Sequence, residues 1–96
     1  MLIDKGFSQG DVVSIKLSNG EELLTRYESE DGEQVKISKP QSVTMGPQGL
    51  GLIPWIFLAE STQDIKISKQ HIIAMAKPKK DAADQYIQGT TGIALA

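Results

Sequence analysis

The chain has no cysteine and a single histidine among its 96 residues. Without thiols, disulfide bonds and every thiolate metal site are excluded, and one histidine cannot supply a site that needs two histidine ligands. Aromatic residues make up only 5% of the sequence. Such a content is low for a free-standing core and favours a core that partner subunits help to complete. The length corresponds to one domain of modest core size.

Long apolar segments are also missing. The longest apolar run, residues 50–59, is interrupted by Gly51 and Pro54 and is far shorter than the roughly 20 residues that cross a membrane. Residues 1–5 are too short and too polar for a secretory signal. We therefore expect a cytoplasmic protein that does not associate with membranes.

Charge is distributed unevenly along the chain. The formal net charge of −2 argues against a non-specific nucleic-acid binder, which is normally basic. Residues 1–35, however, carry eight acidic and three basic side chains, whereas residues 36–80 carry seven lysines and two acidic side chains. One small domain can therefore present an anionic and a cationic surface.

The dominant hydrophobic period is two, which is typical of half-buried strands. Residues 13–17 alternate between apolar and polar, and the Asn19-Gly20 pair that follows predicts a hairpin turn with both residues left-handed. The return strand, residues 22–29, has one face that carries Leu23, Thr25 and Tyr27.

A second reversal is predicted at Asp31-Gly32. A three-residue loop with Gly32 left-handed would pair Tyr27 with Val35, two side chains that suit the same core. A two-residue turn would instead place Glu28 opposite Val35 and lose this apolar match. We therefore prefer the three-residue loop.

Further strands are predicted over residues 34–45, 52–59, 64–68 and 71–75. Pro40 predicts a bend or an edge position in the first of these, and residues 46–49 predict a turn. Residues 52–59 are apolar on both faces, so we expect this strand to be covered on both sides. Lys69-Gln70 forms a short link between the last two strands.

These segments predict a domain over residues 1–78 and a C-terminal tail over residues 79–96. Five or six short strands in so short a chain predict an all-β fold, a small and strongly bent antiparallel barrel or sandwich with little helix. The tail is expected to be mobile or to form a short helix of two turns over residues 79–88, which Gly89 to Gly92 would end.

Two groups of residues carry a resemblance to a known family. Residues 15–23 and 35–37 look like the first half of the Sm/LSm/Hfq family. That half consists of a strand, a glycine turn, a bent strand, an acidic loop and a third strand. Residues 65–75 resemble its second half, two strands joined by a tight link. The compact size, with no helix before the first strand, is most similar to phage-encoded Sm-like proteins. The resemblance implies a five-stranded Sm-like barrel with residues 40–63 as the variable segment.

The family binds RNA through two loops, one with an Asp and an Asn and the other with Arg-Gly or Lys-His. Asp31 falls on the Asp position, but Val35 or Lys36 falls where the Asn would be. In the second loop, Ser68-Lys69 stands in place of Arg-Gly, or Lys69-Gln70 in place of Lys-His. The family also assembles into rings of five to eight subunits, in which the fourth strand of one subunit pairs with the fifth strand of the next.

The resemblance therefore implies a homo-oligomeric ring of five to seven subunits that binds single-stranded RNA rich in uridine or adenine. The candidate RNA-binding residues are Asp31, Lys36, Lys69, Gln70 and His71. Lysines would neutralise phosphates, and His71 would stack on or hydrogen-bond a base. Lys39 and Lys66 share the alternating pattern and either contact phosphate or face water. The alternative is a ring-forming structural or adaptor module without RNA binding, favoured by the missing Asn, the missing Arg-Gly and the negative net charge.

The sequence gives little support for catalysis, for metal binding or for base stacking on its aromatic residues. Ser68 and His71 lie close in sequence but lack a surrounding nucleophile motif, so we predict no catalytic residues and no enzyme activity. The six acidic residues between Glu21 and Glu33 lack the spacing of a calcium loop and are expected to form a solvated anionic face, so we predict no metal and no cofactor. The apolar run places Trp55 and Phe57 in a core or subunit interface rather than on a base-stacking platform.

Overall fold

The structure is a computed structural model, and it describes residues 6–60 and 62–91. Within these residues there are six strands and one α-helix. In chain order they are β1 (Val12–Leu17), β2 (Glu22–Glu30), β3 (Gln34–Gly46), β4 (Gly49–Pro54), β5 (Asp64–Ser68), β6 (Ile72–Ala76) and α1 (Lys80–Thr91). A single 3₁₀ turn, Lys69–His71, connects β5 to β6.

All strand pairs are antiparallel, and the strands form one open sheet in the order β4-β3-β2-β1-β6. β3 is long enough to pair with two strands along the same edge. Its first half pairs with β5, from Gln34 opposite Ser68 to Ser38 opposite Asp64, and its second half pairs with β4. The prediction of a mostly antiparallel β fold with little helix is confirmed.

The bend predicted at Pro40 lies where β3 leaves β5 and joins β4. Between the pairs Arg26–Ser38 and Leu24–Gln41, β3 contains one residue more than β2. Lys39 adopts a left-handed φ of 50° at this point, and the buried Pro40 follows it. Because proline has no N–H to give to a ladder, this irregular position is one that it can occupy inside a strand.

The first hairpin forms where Asn19-Gly20 predicts it, but with a different turn. Of the two residues, only Gly20 is left-handed, with a φ of 94°. The Gly20 amide donates to the Leu17 carbonyl (2.9 Å), and the Leu17 amide donates to the Glu21 carbonyl (2.8 Å). The loop thus contains three residues, and the prediction of a two-residue turn is wrong.

The predicted register after the second reversal is also wrong. Tyr27 lies opposite Ile37 rather than Val35, and Val35 lies opposite Glu30. The strands reverse later than predicted, since Glu30, which the prediction places in the loop, already pairs with Val35. One extra residue in β2, Glu28, then shifts the pairing by one residue between the pairs Tyr27–Ile37 and Ser29–Lys36. Such a bulge keeps the tyrosine on the core face while the strand continues, and no feature of the sequence marks its position.

The predicted strand over residues 52–59 is wrong beyond Pro54. The turn at residues 46–49 fixes the start of β4 at Gly49, opposite Gly46, and β4 ends at Pro54. The chain then turns, with the Trp55 amide donating to the Pro40 carbonyl (3.0 Å). Phe57 and Leu58 are 73% and 98% exposed, so this apolar run is not covered on both sides within the single chain.

The core lies on one face of β1, β2, β3, β5 and β6, and in β1, β2 and β5 it falls on positions that the alternation marks. Its buried side chains are Val13, Ile15, Leu17, Leu23, Tyr27, Val35, Ile37, Ile67 and Ile72. Burying each aliphatic side chain stabilises the fold by about 1.5–3 kcal/mol. Partly buried side chains, among them Trp55 and Ile65, pack against this cluster.

Helix α1 is longer than predicted and packs on the sheet. It continues through Gly89 to Thr91, so the prediction that Gly89 would end it is wrong. The side-chain hydroxyl of Thr90 donates to the Tyr86 carbonyl (2.8 Å), which supports the last turn. Tyr86 is fully buried, and its hydroxyl donates to the Lys39 carbonyl (2.8 Å). Residues 92–96 of the predicted tail lie outside the described residues.

No helix in the described part of the chain is long and apolar enough to cross a membrane.

Candidate functional site

The two loops that the resemblance implies as RNA contacts lie next to each other. The Lys69 amide at the start of the 3₁₀ turn donates to the carbonyl of Glu33 in the loop between β2 and β3 (2.8 Å). Between the two loops is a shallow pocket of about 350 Å³, lined by Gly32, Glu33, Gln34, Ser68, Lys69 and Gln70. Residues that are far apart in sequence thus share one edge of the sheet.

Asp31 shapes the loop between β2 and β3. Its Oδ1 accepts hydrogen bonds from the amides of Glu33 (2.7 Å) and Gln34 (2.8 Å). These two bonds, and the field of Lys69, hold the pKa of Asp31 below its usual value. Gly32 is not left-handed, contrary to the prediction, because the carboxylate closes the turn instead of a glycine conformation.

Lys69 is held by an ion pair. Its Nζ lies 2.7 Å from Oε2 of Glu30, and the two side chains are 23% and 20% exposed. Oε1 of Glu30 accepts the Tyr27 hydroxyl (2.8 Å). The hydrogen bond from Lys69 is the main cause that lowers the pKa of Glu30. Burial, with help from Glu30, raises the pKa of Tyr27 to about 12. Glu30 is absent from the sequence-based site, because only the fold brings it to Lys69.

Lys36 and Lys66 lie directly opposite each other on β3 and β5. Their strand neighbours Val35, Ile37 and Ile67 are buried in the core, so alternation places both lysines on the other face of the sheet. Within the described residues, the amine of neither lysine makes a hydrogen bond or an ion pair, although the charge of Lys66 helps to lower the pKa of Asp31. Like charges directly opposite each other are unfavourable, and a bound anion would relieve their repulsion. The structure thus provides a cationic pair that pattern alone could not align.

Lys39, by contrast, points toward the helix. Its Nζ lies 3.5 Å from the Thr90 carbonyl, near the C-terminal end of α1, where a cation suits the negative end of the helix dipole. Lys39 therefore serves the packing of α1 on the sheet.

His71 belongs to a different pocket from Lys69 and Gln70. His71 is exposed and lines a concavity of about 200 Å³ together with Leu17, Ser18, Asn19, Trp55 and Ile67. Gln70 remains exposed beside Lys69. The five predicted residues therefore divide into three places: the pocket with Lys69, the lysine pair that includes Lys36, and the pocket with His71. Sequence reasoning did not bring Trp55 and His71 into one pocket, since fifteen residues, including strand β5, lie between them.

Chemically, this edge of the domain combines an unpaired cationic pair with a loop that is strongly anionic. It can hold an anionic polymer at Lys36 and Lys66, and uncharged rings in the pocket with Trp55.

In the described portion of the chain, no group of three or more histidine or carboxylate side chains could hold a metal ion. Neither the models of known protein families nor a search of curated proteins gives a match to this chain.

Proposed function

We propose that the chain is an Sm-like protein that forms a homo-oligomeric ring and binds single-stranded RNA. One observation carries the proposal: the hydrogen bond from the Lys69 amide to the Glu33 carbonyl joins the loop after β2 to the turn after β5. By the resemblance, these correspond to the two loops through which the Sm/LSm/Hfq family binds RNA. Asp31 and Lys69 are the residues that match the family there, and the contact between the loops supports the correspondence.

The strand order supports an Sm-like arrangement. Around the core, the order is β5-β3-β2-β1-β6, and the short 3₁₀ turn connects its two outer strands. These five strands are the ones that the resemblance assigns. β4 belongs to the variable segment, residues 40–63, and extends the second half of β3. The sheet is open in the single chain. In the proposed ring, strands of neighbouring subunits would pair with its free edges.

Two free strand edges support ring formation. Among the described residues, β5 pairs only with β3 and β6 pairs only with β1. An unpaired edge is a template for another chain, and the family pairs its last two strands between neighbours. Large apolar side chains are also left exposed on the single chain: Met45, Ile53, Ile56, Phe57, Leu58 and Ile73. A neighbouring subunit would cover some of these side chains.

Ring formation also strengthens the interaction with RNA. One pair of lysines is a weak attraction for a phosphate, but copies of Lys36 and Lys66 repeated around a ring produce a strong local field. Unpaired bases would then make the specific contacts, as is general for RNA recognition. The preferred RNA would be rich in uridine or adenine.

An adaptor ring without RNA binding is the second candidate, and the state of Lys69 favours it. Its amine is already paired with Glu30, and Asp31 and Glu33 stand in the same loop. These carboxylates repel phosphate from the pocket between the loops. In this case the lysine pair would stay solvated.

Fluorescence anisotropy with dye-labelled oligouridine and oligoadenine distinguishes the two candidates. At low salt we expect binding of at least one oligonucleotide, with an affinity that falls steeply as salt is raised. Lys69→Glu should weaken binding and reduce the salt slope, whereas Lys80→Ala, which changes an exposed helix lysine, should leave both unchanged.

An unchanged affinity and salt slope in Lys69→Glu would contradict the site. No binding of either oligonucleotide at about 50 μM protein would favour the adaptor instead.

A further inference from the structure

The pocket between the turn after β1 and the 3₁₀ turn has an apolar interior. Its apolar lining consists of the buried Leu17 and Ile67 and the half-buried Trp55. The rim carries the side chains of Ser18 and His71, which make no hydrogen bond within the described residues. A largely apolar concavity with a few unused polar groups is typical of a site for a small ring-shaped ligand.

The indole of Trp55 is fixed before any ligand arrives. Its Nε1–H donates to Oε1 of Glu21 (3.3 Å), and its backbone amide donates to the Pro40 carbonyl (3.0 Å). The side chain packs against the core cluster but is only half-buried, so part of it remains accessible. A ring held in this way offers a stacking surface at little cost in conformational entropy.

His71 is also positioned by the backbone. Its carbonyl accepts a hydrogen bond from the Ser18 amide (2.8 Å), which joins the 3₁₀ turn to the first hairpin. The imidazole itself is exposed. It is therefore available to contact a ligand that lies on Trp55.

We propose that this pocket takes one unpaired nucleobase, which stacks on Trp55 and contacts His71 and Ser18. The inference rests on the proposed function and deepens it, because it assigns a base-binding position to the RNA. The 3₁₀ turn lines this pocket through His71 and the neighbouring pocket through Lys69. A strand that crosses the turn can therefore place a base on Trp55 while its backbone passes the lysines.

The charge around Trp55 favours the base over the phosphate as the group inside the pocket. The carboxylate of Glu21 accepts from the indole and also from the Asn19 side-chain amide (2.9 Å). A negative charge beside the indole repels phosphate, but it does not repel an uncharged base. Stacking of a base on an aromatic side chain is worth about 1–3 kcal/mol, so one such contact changes affinity measurably.

Trp55 is the only tryptophan, so its fluorescence reports on this pocket alone. The protein would be titrated separately with adenosine monophosphate, with uridine monophosphate and with N-acetyltyrosinamide. We expect saturable quenching by at least one nucleotide, and an affinity about tenfold weaker in His71→Ala. Gln88→Ala is the control, since Gln88 is an exposed residue of α1 that does not line the pocket. It should titrate like the wild type.

Labelled RNA, followed by anisotropy, separates this inference from the proposed function. Trp55→Phe retains an aromatic ring against the core cluster and should bind RNA more weakly than the wild type. If RNA binds while Trp55 fluorescence and the affinity of His71→Ala stay unchanged, the base pocket is refuted and the proposed function stands. If a nucleotide quenches but no RNA binds, the base pocket stands and the proposed function fails. Quenching by N-acetyltyrosinamide alone would assign the pocket to a protein side chain and overturn the inference.

Discussion

Replacement of Tyr86 by phenylalanine is expected to destabilise the protein by removing one buried hydrogen bond. The single hydrogen of the Tyr86 hydroxyl is donated mainly to the Lys39 carbonyl (2.8 Å), with the Ser38 carbonyl as a longer second acceptor (3.3 Å). The Ser38 carbonyl also accepts from the Thr25 hydroxyl (2.7 Å), so it keeps a partner in the variant. The Lys39 carbonyl, at the left-handed residue of the β3 bend, loses its hydrogen bond.

The size of the effect follows from this difference. An unsatisfied buried acceptor costs about 1–3 kcal/mol, so Tyr86→Phe should lower the free energy of unfolding by about that amount. Tyr86→Ala also removes a fully buried ring and should cost about 3–5 kcal/mol. Because the Trp55 amide donates to the carbonyl of the neighbouring Pro40, loosening this bend should also change Trp55 fluorescence in the folded protein.

Urea unfolding followed by circular dichroism measures these changes, at one fixed protein concentration because assembly adds to stability. Gln88→Ala is the control, since Gln88 is an exposed residue of the same helix and its replacement should shift stability by less than about 0.5 kcal/mol. A Tyr86→Phe variant within about 0.3 kcal/mol of the wild type would refute the assigned role of this hydroxyl.

Three further predictions concern charge. Glu30→Gln should tighten RNA binding in the anisotropy assay, because it removes a carboxylate and releases Lys69 from its ion pair; weaker binding would contradict this interpretation. Lys66→Glu should weaken RNA binding and reduce the salt slope, because it replaces one member of the unpaired cationic pair with an anion, and an unchanged slope would exclude Lys66 from the interface. The pKa values of Tyr27 and Tyr86 are raised from 10.0 to about 12, so their contribution to stability is complete below pH 10 and is lost as the pH rises through 12. Urea midpoints measured from pH 9 to pH 11.5 should therefore fall steadily, and a flat profile would contradict the burial of these hydroxyls.

The strands were predictable wherever one face is buried. In β1 and β5, alternation of apolar and polar residues identifies the core positions, and the structure buries Ile15 and Ile67 as expected. The bend at Pro40 was predictable for a similar reason, because the chemistry of that one residue restricts the backbone. These features depend on neighbours within a few residues.

Features set by distant contacts were not predictable. The later reversal, with Glu30 already paired to Val35, and the extra residue at Glu28 together set the pairing of β2 with β3, yet either register buries apolar side chains. The apolar run after Pro54 looks like a buried strand, but pairing of β4 with β3 ends it early. Gly89 was expected to end the helix, but α1 continues because Tyr86 anchors it and the Thr90 hydroxyl supports its last turn.

The candidate site shows the same division. The sequence places Asp31 and Lys69 in loops, and the resemblance brings the two loops together. The sequence does not reveal the ion pair of Lys69 with Glu30, since that contact requires the 3₁₀ turn to dock onto the loop between β2 and β3. Nor does it align Lys66 with Lys36, because cross-strand register depends on the whole sheet.

Sedimentation velocity of dye-labelled RNA mixed with the protein, followed at the wavelength of the dye, tests the central claim most directly. It reports RNA binding and subunit number in one measurement. If the protein is a ring that binds RNA, we expect the dye to sediment with an assembly of five to seven protomers of 10.4 kDa each. A dye that sediments at the rate of free RNA, or with a single protomer, would contradict the account.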